Sequence, residues 1–417
     1  MRLAIVGAGV SGLVVAHLLH RTHDITVFES GAHAGGHAHT VRVDTADETH
    51  HVDTGFVVYN QRNYPNFTRL LAELGVATRP STMTFSVRED AGEFEYSSRL
   101  PVGLLARPSH LLRPAFQRML GDYVRFRGAA RRFLRAQGDD DSLAMSDFVA
   151  QWRFSRTFVE RLLIPLGASI WSADRARFLR FPARYVLAFF DNHGLLSGRD
   201  RPQWRTVEGG SARYVEALTR PFRDRVRLST PVAAITRHDG WVEIRPCGGE
   251  PERFDRVVVA AHSDQALGML TDATPHERSV LEAFPYQVNR AVLHTDATLL
   301  PRSRRAWSSW NYHLATDAGA PVGVTYHMNR LQGLEARSEM CVSLNREALI
   351  DDSRVVRRID FAHPLYTTRT LAAQRLHHTV DGVNRTHFCG AYWGAGFHED
   401  GVDSALRVCA RIREAQR

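Results

Sequence analysis

Lysine is absent from this chain: all 53 of its basic residues are arginine. No step can therefore use an amine side chain as nucleophile, as Schiff-base partner or as the holder of a water. Cysteine is scarce. Cys247, Cys341, Cys389 and Cys409 lie far apart with no C-x-x-C pair, which fits a reducing cytosol and argues against a disulfide frame or a cysteine zinc site. His37, His39, His50 and His51 flank a glycine loop rather than regular elements, so no metal site is expected. No apolar run reaches the roughly 18 residues of a membrane span, and nothing is of low complexity. The opening Met-Arg-Leu-Ala-Ile-Val has the basic residue and apolar run of a signal peptide, but glycines interrupt it and no small-residue cleavage site follows. The expected location is the cytoplasm. At 417 residues the chain is expected to form two intimately packed domains.

What is present begins at once. Leu3 to Val6 is a short β-type run that meets a glycine turn at Gly7, Gly9 and Gly12. An apolar helical segment follows over Leu13–Leu19, then a second β-type run over Ile25–Phe28 that ends on Glu29. Strand, tight turn, helix, strand and acid is the arrangement that binds an adenine dinucleotide. One glycine makes the turn, one lets the backbone approach the pyrophosphate, and one lets the helix lie close to the sheet. The helix N-terminus offers free N–H groups and the positive end of its dipole to the phosphates. Glu29 falls where a carboxylate accepts from the ribose hydroxyls.

Directly after this acid comes a second glycine loop with Gly35, Gly36 and His37, then a strand whose mouth holds Asp53, Thr54 and Gly55. A nicotinamide dehydrogenase would simply repeat the βα rhythm here, so the cofactor is expected to run on past its pyrophosphate along this loop. Further on, Gly209-Gly210 opens a helix, and Asp239-Gly240 sits between two strand-like runs as a hairpin turn. No second G-x-G-x-x-G appears, so a separate NAD(P)H domain is not expected. The end of the chain reads as strand, glycine turn and aromatic loop, then a helix from Val402 to Ile412, with Asp403 and Ser404 suited to its first turn.

Taken together these segments resemble the flavin-containing amine oxidase superfamily, which includes phytoene-desaturase-like and protoporphyrinogen-oxidase-like members. Two departures stand out: His37 occupies the place of the usual loop arginine, and Ala391-Tyr392 follows Gly390 where an aspartate is usual. Residues 52–67, 161–171, 189–196, 291–296, 308–313, 325–332 and 388–406 carry a narrower resemblance, to predicted NAD/FAD-binding proteins found beside, or fused to, cyclopropane-fatty-acid-synthase-like methyltransferases. The resemblance implies an α/β fold: a Rossmann-like FAD-binding domain of the three-layer glutathione-reductase type with a discontinuous α+β substrate domain. It divides the chain into FAD-binding parts at 1–84, 204–290 and 380–417, a helical substrate part at 85–203 and a substrate sheet at 291–379. It also implies FAD held by Gly7, Gly9, Gly12, Glu29, Gly35, Gly36, His37, Thr54, Gly55, the backbone of Val232, Gly390, Asp400, Gly401 and Val402. The methyltransferase is the implied partner.

The middle of the chain is arginine-rich. Between Arg99 and Gln137 lie nine arginines and one aspartate, a surplus equal to the formal +8 of the whole chain. In that stretch Phe116, Met119, Tyr123, Phe126, Ala130 and Phe133 recur every three or four residues and share one helical face, with Arg127, Arg131 and Arg135 along its side. The plain reading is a substrate-domain helix with a solvated arginine face. The other is peripheral contact of residues 99–137 with anionic lipid at the inner membrane face. Nucleic acid is not an expected partner, since no recognition module accompanies the charge.

Cavity-lining candidates are Tyr59, Asn60, Asn63, Tyr64, Trp171, Asn192, His193, Trp310, Asn311, Tyr312, His313, Tyr326, Tyr392 and Trp393. His193 is the first choice of acid or base because imidazole titrates near neutrality, with Tyr59 and Tyr312 as second choices. Many amine oxidases of the superfamily keep a lysine that holds a water near the flavin N5. Its absence here favours carbon–carbon dehydrogenation or double-bond isomerisation on a lipid acyl chain or other apolar small molecule. A small-amine oxidase and a non-catalytic flavoprotein that serves a partner enzyme are the alternatives.

Overall fold

The computed structural model describes residues 1–45, 48–90, 92, 94–99, 101–103, 106–136, 142–197, 201–315 and 321–415. Of the arginine-rich stretch expected at 99–137, residues 100, 104, 105 and 137 therefore lie outside the described residues.

Five strands form a parallel sheet in the order Val226–Arg227, Asp24–Phe28, Arg2–Val6, Arg256–Val259, Thr386–Phe388. Leu3, Ala4, Ile5, Val257, Val258 and Val259 are fully buried, because a parallel sheet is covered on both faces and its central strands must be apolar throughout. One face carries the helices Val10–Leu19, Ala212–Thr219 and His398–Glu414, which share one core with it. An antiparallel meander, Val232–His238, Trp241–Pro246 and Glu252–Phe254, covers the other. The expected hairpin is there: His238 pairs with Trp241 across Asp239-Gly240, and Gly240 has φ +90°.

The second domain is built on a seven-stranded sheet in the order Val355–Pro364, Tyr286–His294, Cys341–Leu344, Gly323–His327, Trp310–Leu314, Phe85–Glu89, Glu95–Ser97. The boundary expected between 290 and 291 falls inside one of these strands. The alternation there is inverted, with Val288 67% exposed and Asn289 fully buried, so a search for apolar residues facing inward starts the strand too late. Asn289 Oδ1 accepts from the amides of Gln287 at 3.0 Å and Asn345 at 2.9 Å, which offsets the cost of burying it.

A helical layer packs against this sheet. Its longest member, Pro114–Ala136, buries Phe116, Met119, Phe126, Ala130 and Phe133, as the periodicity predicts, and leaves Tyr123 half-buried. Phe126 sits among the rings of Phe148, Phe154, Phe158 and Phe190 at centroid distances of 5.4–6.4 Å. The arginine side is less open than the sequence suggests. Arg127 Nε donates to the carbonyl of Leu196 at 2.8 Å, and Arg131 lies 3.9 Å from Asp191. Among the described residues no helix is long and apolar enough to cross a membrane.

Candidate active site

One continuous cavity of about 1390 Å³ runs from the glycine turn of the first domain to the helical layer of the second. It exceeds the roughly 300–1,000 Å³ usual for a single small ligand, so an elongated cofactor at one end leaves room for a second molecule at the other.

At the nucleotide end Gly7 has φ +106°, and a Cβ there would stand 2.6 Å from the Ala260 carbonyl oxygen. A Cβ on Gly12 would lie 2.0 Å from the Gly7 carbonyl oxygen. Both glycines are demanded by the protein's own packing. Gly9 is not: its φ is −73°, and a Cβ would meet no described atom within 4 Å. No side chain among the described residues caps the helix that starts after it, so the first-turn N–H groups are left facing the cavity. A pyrophosphate laid against Gly9 accounts for both features. Glu29 also lines this end, its oxygens accepting the N–H groups of Ala8 and Gly31, both at 2.7 Å, with lone pairs left for ribose hydroxyls. The residues present fit an adenine dinucleotide.

The second glycine loop is sewn to the first by the Gly35 N–H, which donates to the Ala8 carbonyl at 2.7 Å. Gly36, His37, Thr54 and Gly55 follow it along the cavity, with Val232 at the nucleotide end and Gly390 opposite. A Cβ on Gly55 would lie 2.2 Å from the His37 carbonyl oxygen. His37 does not replace the usual arginine as a charge. It stacks on Phe361 at 4.9 Å and lies near His363 and His262, at 5.4 and 6.2 Å between ring centroids. Burial, followed by these neighbours and His398, pushes its pKa well below the usual value, so the ring is neutral. The diphosphate charge is then left to backbone N–H groups and the helix dipole. Asp53, fully buried, ties the loops together: its Oδ1 accepts from Thr40 Oγ1, Ser211 N and Ser211 Oγ, and its Oδ2 from Gln332 Nε2.

The closing helix differs from expectation. It begins at His398 rather than Val402, because the carboxylate of Asp400, three residues in, accepts the Phe397 N–H at 2.9 Å and fixes the first turn there. Phe397 and His398 reach the cavity; Asp400, Gly401 and Val402 do not line it. Gly401 serves packing instead, since a Cβ would stand 2.8 Å from Val10 Cγ1. Asp403 and Ser404 fall in the second turn. His398 Nε2 bonds the Tyr214 hydroxyl at 2.9 Å, and its ring stacks on Phe56 at 3.5 Å.

Of the residues singled out in the sequence, Tyr64, Trp171, His193, Trp310, Tyr326 and Tyr392 line the cavity. Tyr59 and Tyr312 do not. Tyr59 is buried, with its hydroxyl 3.2 Å from Thr78 Oγ1. Tyr312 shares a strand face with Trp310 but sits one pleat farther on, within the helical core. Asn311 and His313 point through the other face of that strand, where His313 bridges Asp90 at 3.2 Å and Thr325 at 2.8 Å.

His193 keeps its place but changes its role. Its Nδ1 lies 2.9 Å from the Phe189 carbonyl oxygen. A carbonyl only accepts, so Nδ1 carries the proton and Nε2 is left as an acceptor. Burial pushes the pKa to about 4, against the partial support of that hydrogen bond. At neutral pH His193 is an uncharged acceptor and not an acid. It belongs to an aromatic wall with Phe189, Phe397 and Trp204, at 3.9 Å from Phe189 and 6.0 Å from Trp204. Most of this wall escaped the sequence reading. His262 could have been found, because it follows the end of a parallel strand, where α/β sheets bind ligands.

A dinucleotide cradle that runs on into a second, apolar chamber defines a flavin-dependent oxidoreductase. The sequence profile of the flavin-containing amine oxidoreductases matches residues 10–313, and the chain belongs to that family. FAD is its cofactor. No curated protein matches the sequence. A putrescine oxidase variant superposes with a TM-score of 0.71 at 14% identity, covering 100% of this chain and 99% of that one. For cyclohexylamine oxidase from Brevibacterium oxydans IH-35A the figures are 0.70 and 17%, with 100% and 99% covered. For a fatty acid isomerase from P. acnes they are 0.67 and 16%, with 99% and 98% covered. At such identities the likeness is one of fold.

Proposed function

We propose that this oxidoreductase acts on an apolar, acyl-type carbon chain, removing hydrogen across a carbon–carbon bond or moving a double bond. The observation that carries the reading is the charge of the cavity wall. Glu29 and Asp53 are the carboxylates among its described lining residues. Glu29 belongs to the nucleotide end, and Asp53 is consumed by four donors. A cationic amine entering the substrate arm meets no counter-charge there, whereas Leu120, Leu162, Leu166, Ile170 and Leu344 suit a hydrocarbon. Flavin supplies a hydride-accepting ring when bound; the chain supplies position, dryness and a neutral acceptor at His193.

Two further points support the reading. The fatty acid isomerase from P. acnes has the same fold. Leu112 and Val124, 82% and 66% exposed, stand beside exposed Arg113, Arg118 and Arg125, a surface suited to anionic lipid. Partnership with a fatty-acid methyltransferase is part of the proposal and rests on the sequence resemblance alone. One observation favours the second reading, oxidation of a small amine: Trp171, Phe189, Trp310 and Tyr326 line the arm, and aromatic rings can attract a cation.

Anaerobic incubation of the FAD-loaded protein with phospholipid vesicles, with and without the methyltransferase, tests the proposal by mass spectrometry of the acyl chains. New unsaturation or a shifted double bond is expected. Unchanged chains, together with peroxide release on aerobic addition of putrescine, would reverse the order of the two readings.

A further inference from the structure

The substrate arm is lined by Leu120, Tyr123 and Val124 of the helix Pro114–Ala136 and by His193 and Leu195, which follow the helix Ala183–Asn192. The two sides are joined by the Tyr123 hydroxyl, which donates to the Leu195 carbonyl at 3.2 Å, and by Arg127 on the Leu196 carbonyl. The solvent-exposed described residues that line the cavity outside the glycine loops include Pro80, Thr82, Ser98, Val124, Arg201 and Gln203. Arg201 is the one that carries a charge. Gln203 is already committed, its amide donating to the carbonyls of Ser81 at 3.2 Å and Trp204 at 2.8 Å. Ser98 Oγ accepts the Phe85 N–H at 2.9 Å and keeps a hydroxyl hydrogen to donate.

One guanidinium among the described residues at the exposed edge of an apolar tunnel, whose described walls hold no free carboxylate, has a chemical meaning. An ammonium headgroup is repelled, a neutral one is ignored, and a planar or tetrahedral oxyanion finds a forked donor. We propose that Arg201 anchors the anionic head of the substrate, so that the arm takes an amphiphile with a carboxylate or phosphate at one end and a hydrocarbon tail running inward past Leu120, Leu166 and Tyr326. The inference rests on the apolar-chain reading and sharpens it. An anchored head also fixes how far along the tail the reacting carbon lies, which is how a featureless chain is modified at one position. Because Arg201 is exposed, the expected gain is modest, roughly two- to fivefold in affinity, and is screened by salt.

The test is calorimetric titration of the FAD-loaded protein with dodecanoate, dodecyl phosphate, dodecanol and dodecylamine, each below its micellar concentration. Dodecanoate stands for a free fatty acid and dodecyl phosphate for a phospholipid head; whichever binds more tightly names the source. At least one anion should bind about two- to fivefold more tightly than dodecanol, with dodecylamine weakest, and the gap should narrow at high salt. In R201Q the anion preference should vanish, and in R201E it should turn toward dodecylamine. Equal affinity for dodecanol and both anions, or an anion preference that survives in R201Q, overturns the anchor while leaving the apolar-chain reading in place. If none of the four binds, that reading fails and the anchor goes with it.

Discussion

Gly9→Ala separates what the protein needs from what its cofactor needs. The φ of −73° suits alanine, and a Cβ there would meet no described atom within 4 Å. Losing a flexible glycine stabilises by ~0.4–1 kcal/mol through the unfolded chain, and alanine is a poorer N-cap than glycine by an amount of the same order. The apoprotein of the variant should therefore unfold within about 1 kcal/mol of wild type in denaturant titration. The same methyl stands where a pyrophosphate must approach the backbone. Overpacking of a well-fitted contact costs ~1–3 kcal/mol, so FAD affinity, read from the quenching of flavin fluorescence, should weaken by roughly 5- to 150-fold. Gly12→Ala is the control. Its Cβ would fall 2.0 Å from the Gly7 carbonyl oxygen, so the apoprotein itself should be destabilised. If Gly9→Ala binds FAD like wild type, or if its apoprotein is the one that unfolds, the assignment of this turn to the cofactor is wrong.

Other outcomes follow from the same geometry. Burial raises the pKa of Asp53 from 3.8 to about 6, so the native state holds this proton more tightly than the unfolded chain does. Its contribution to stability is full below the unfolded pKa and lost as pH rises through the folded one, by up to about 3 kcal/mol. The stability of wild type relative to Asp53→Asn should fall over that window, and a flat difference would contradict it. His193, with its pKa near 4, should add no inflection to the activity profile around the ordinary imidazole pKa of ~6.5; an inflection there that disappears in His193→Gln would refute its neutral role. Phe126→Ala should cost ~3–5 kcal/mol, because the ring is held among four others. Leu166→Trp should block the substrate arm, abolishing binding of dodecanoate while leaving FAD affinity unchanged.

Local chemistry made the nucleotide end legible. Gly7, Gly12 and Glu29 carry out their tasks within thirty residues of one another, and Asp239-Gly240 turns a hairpin that closes on itself. The start of the closing helix differs because Asp400 captures the Phe397 N–H, which starts the helix at His398, four residues before the first apolar stretch at Val402. Tyr59 and Tyr312 were misplaced for a different reason. A strand shows which residues share a face, but which face meets the cavity, and how far along it the cavity reaches, depends on partners far away in sequence: Trp310 lines the cavity, whereas Tyr312, on the same face of a strand parallel to Phe85–Glu89, packs into the helical core. The group of His37, His262 and His363 joins a loop, a strand end and an edge strand, and no periodicity links those three positions.

In the proposed function one cavity holds FAD at its glycine turn and a hydrocarbon chain in its arm. Anaerobic titration of the FAD-loaded protein, followed by the flavin absorbance bands, reads both ends of that cavity at once. A saturable perturbation or bleaching is expected with dodecanoate or dodecyl phosphate, and an unchanged spectrum with putrescine and cyclohexylamine. Bleaching by either amine, with no response to the acyl compounds, would contradict the proposal.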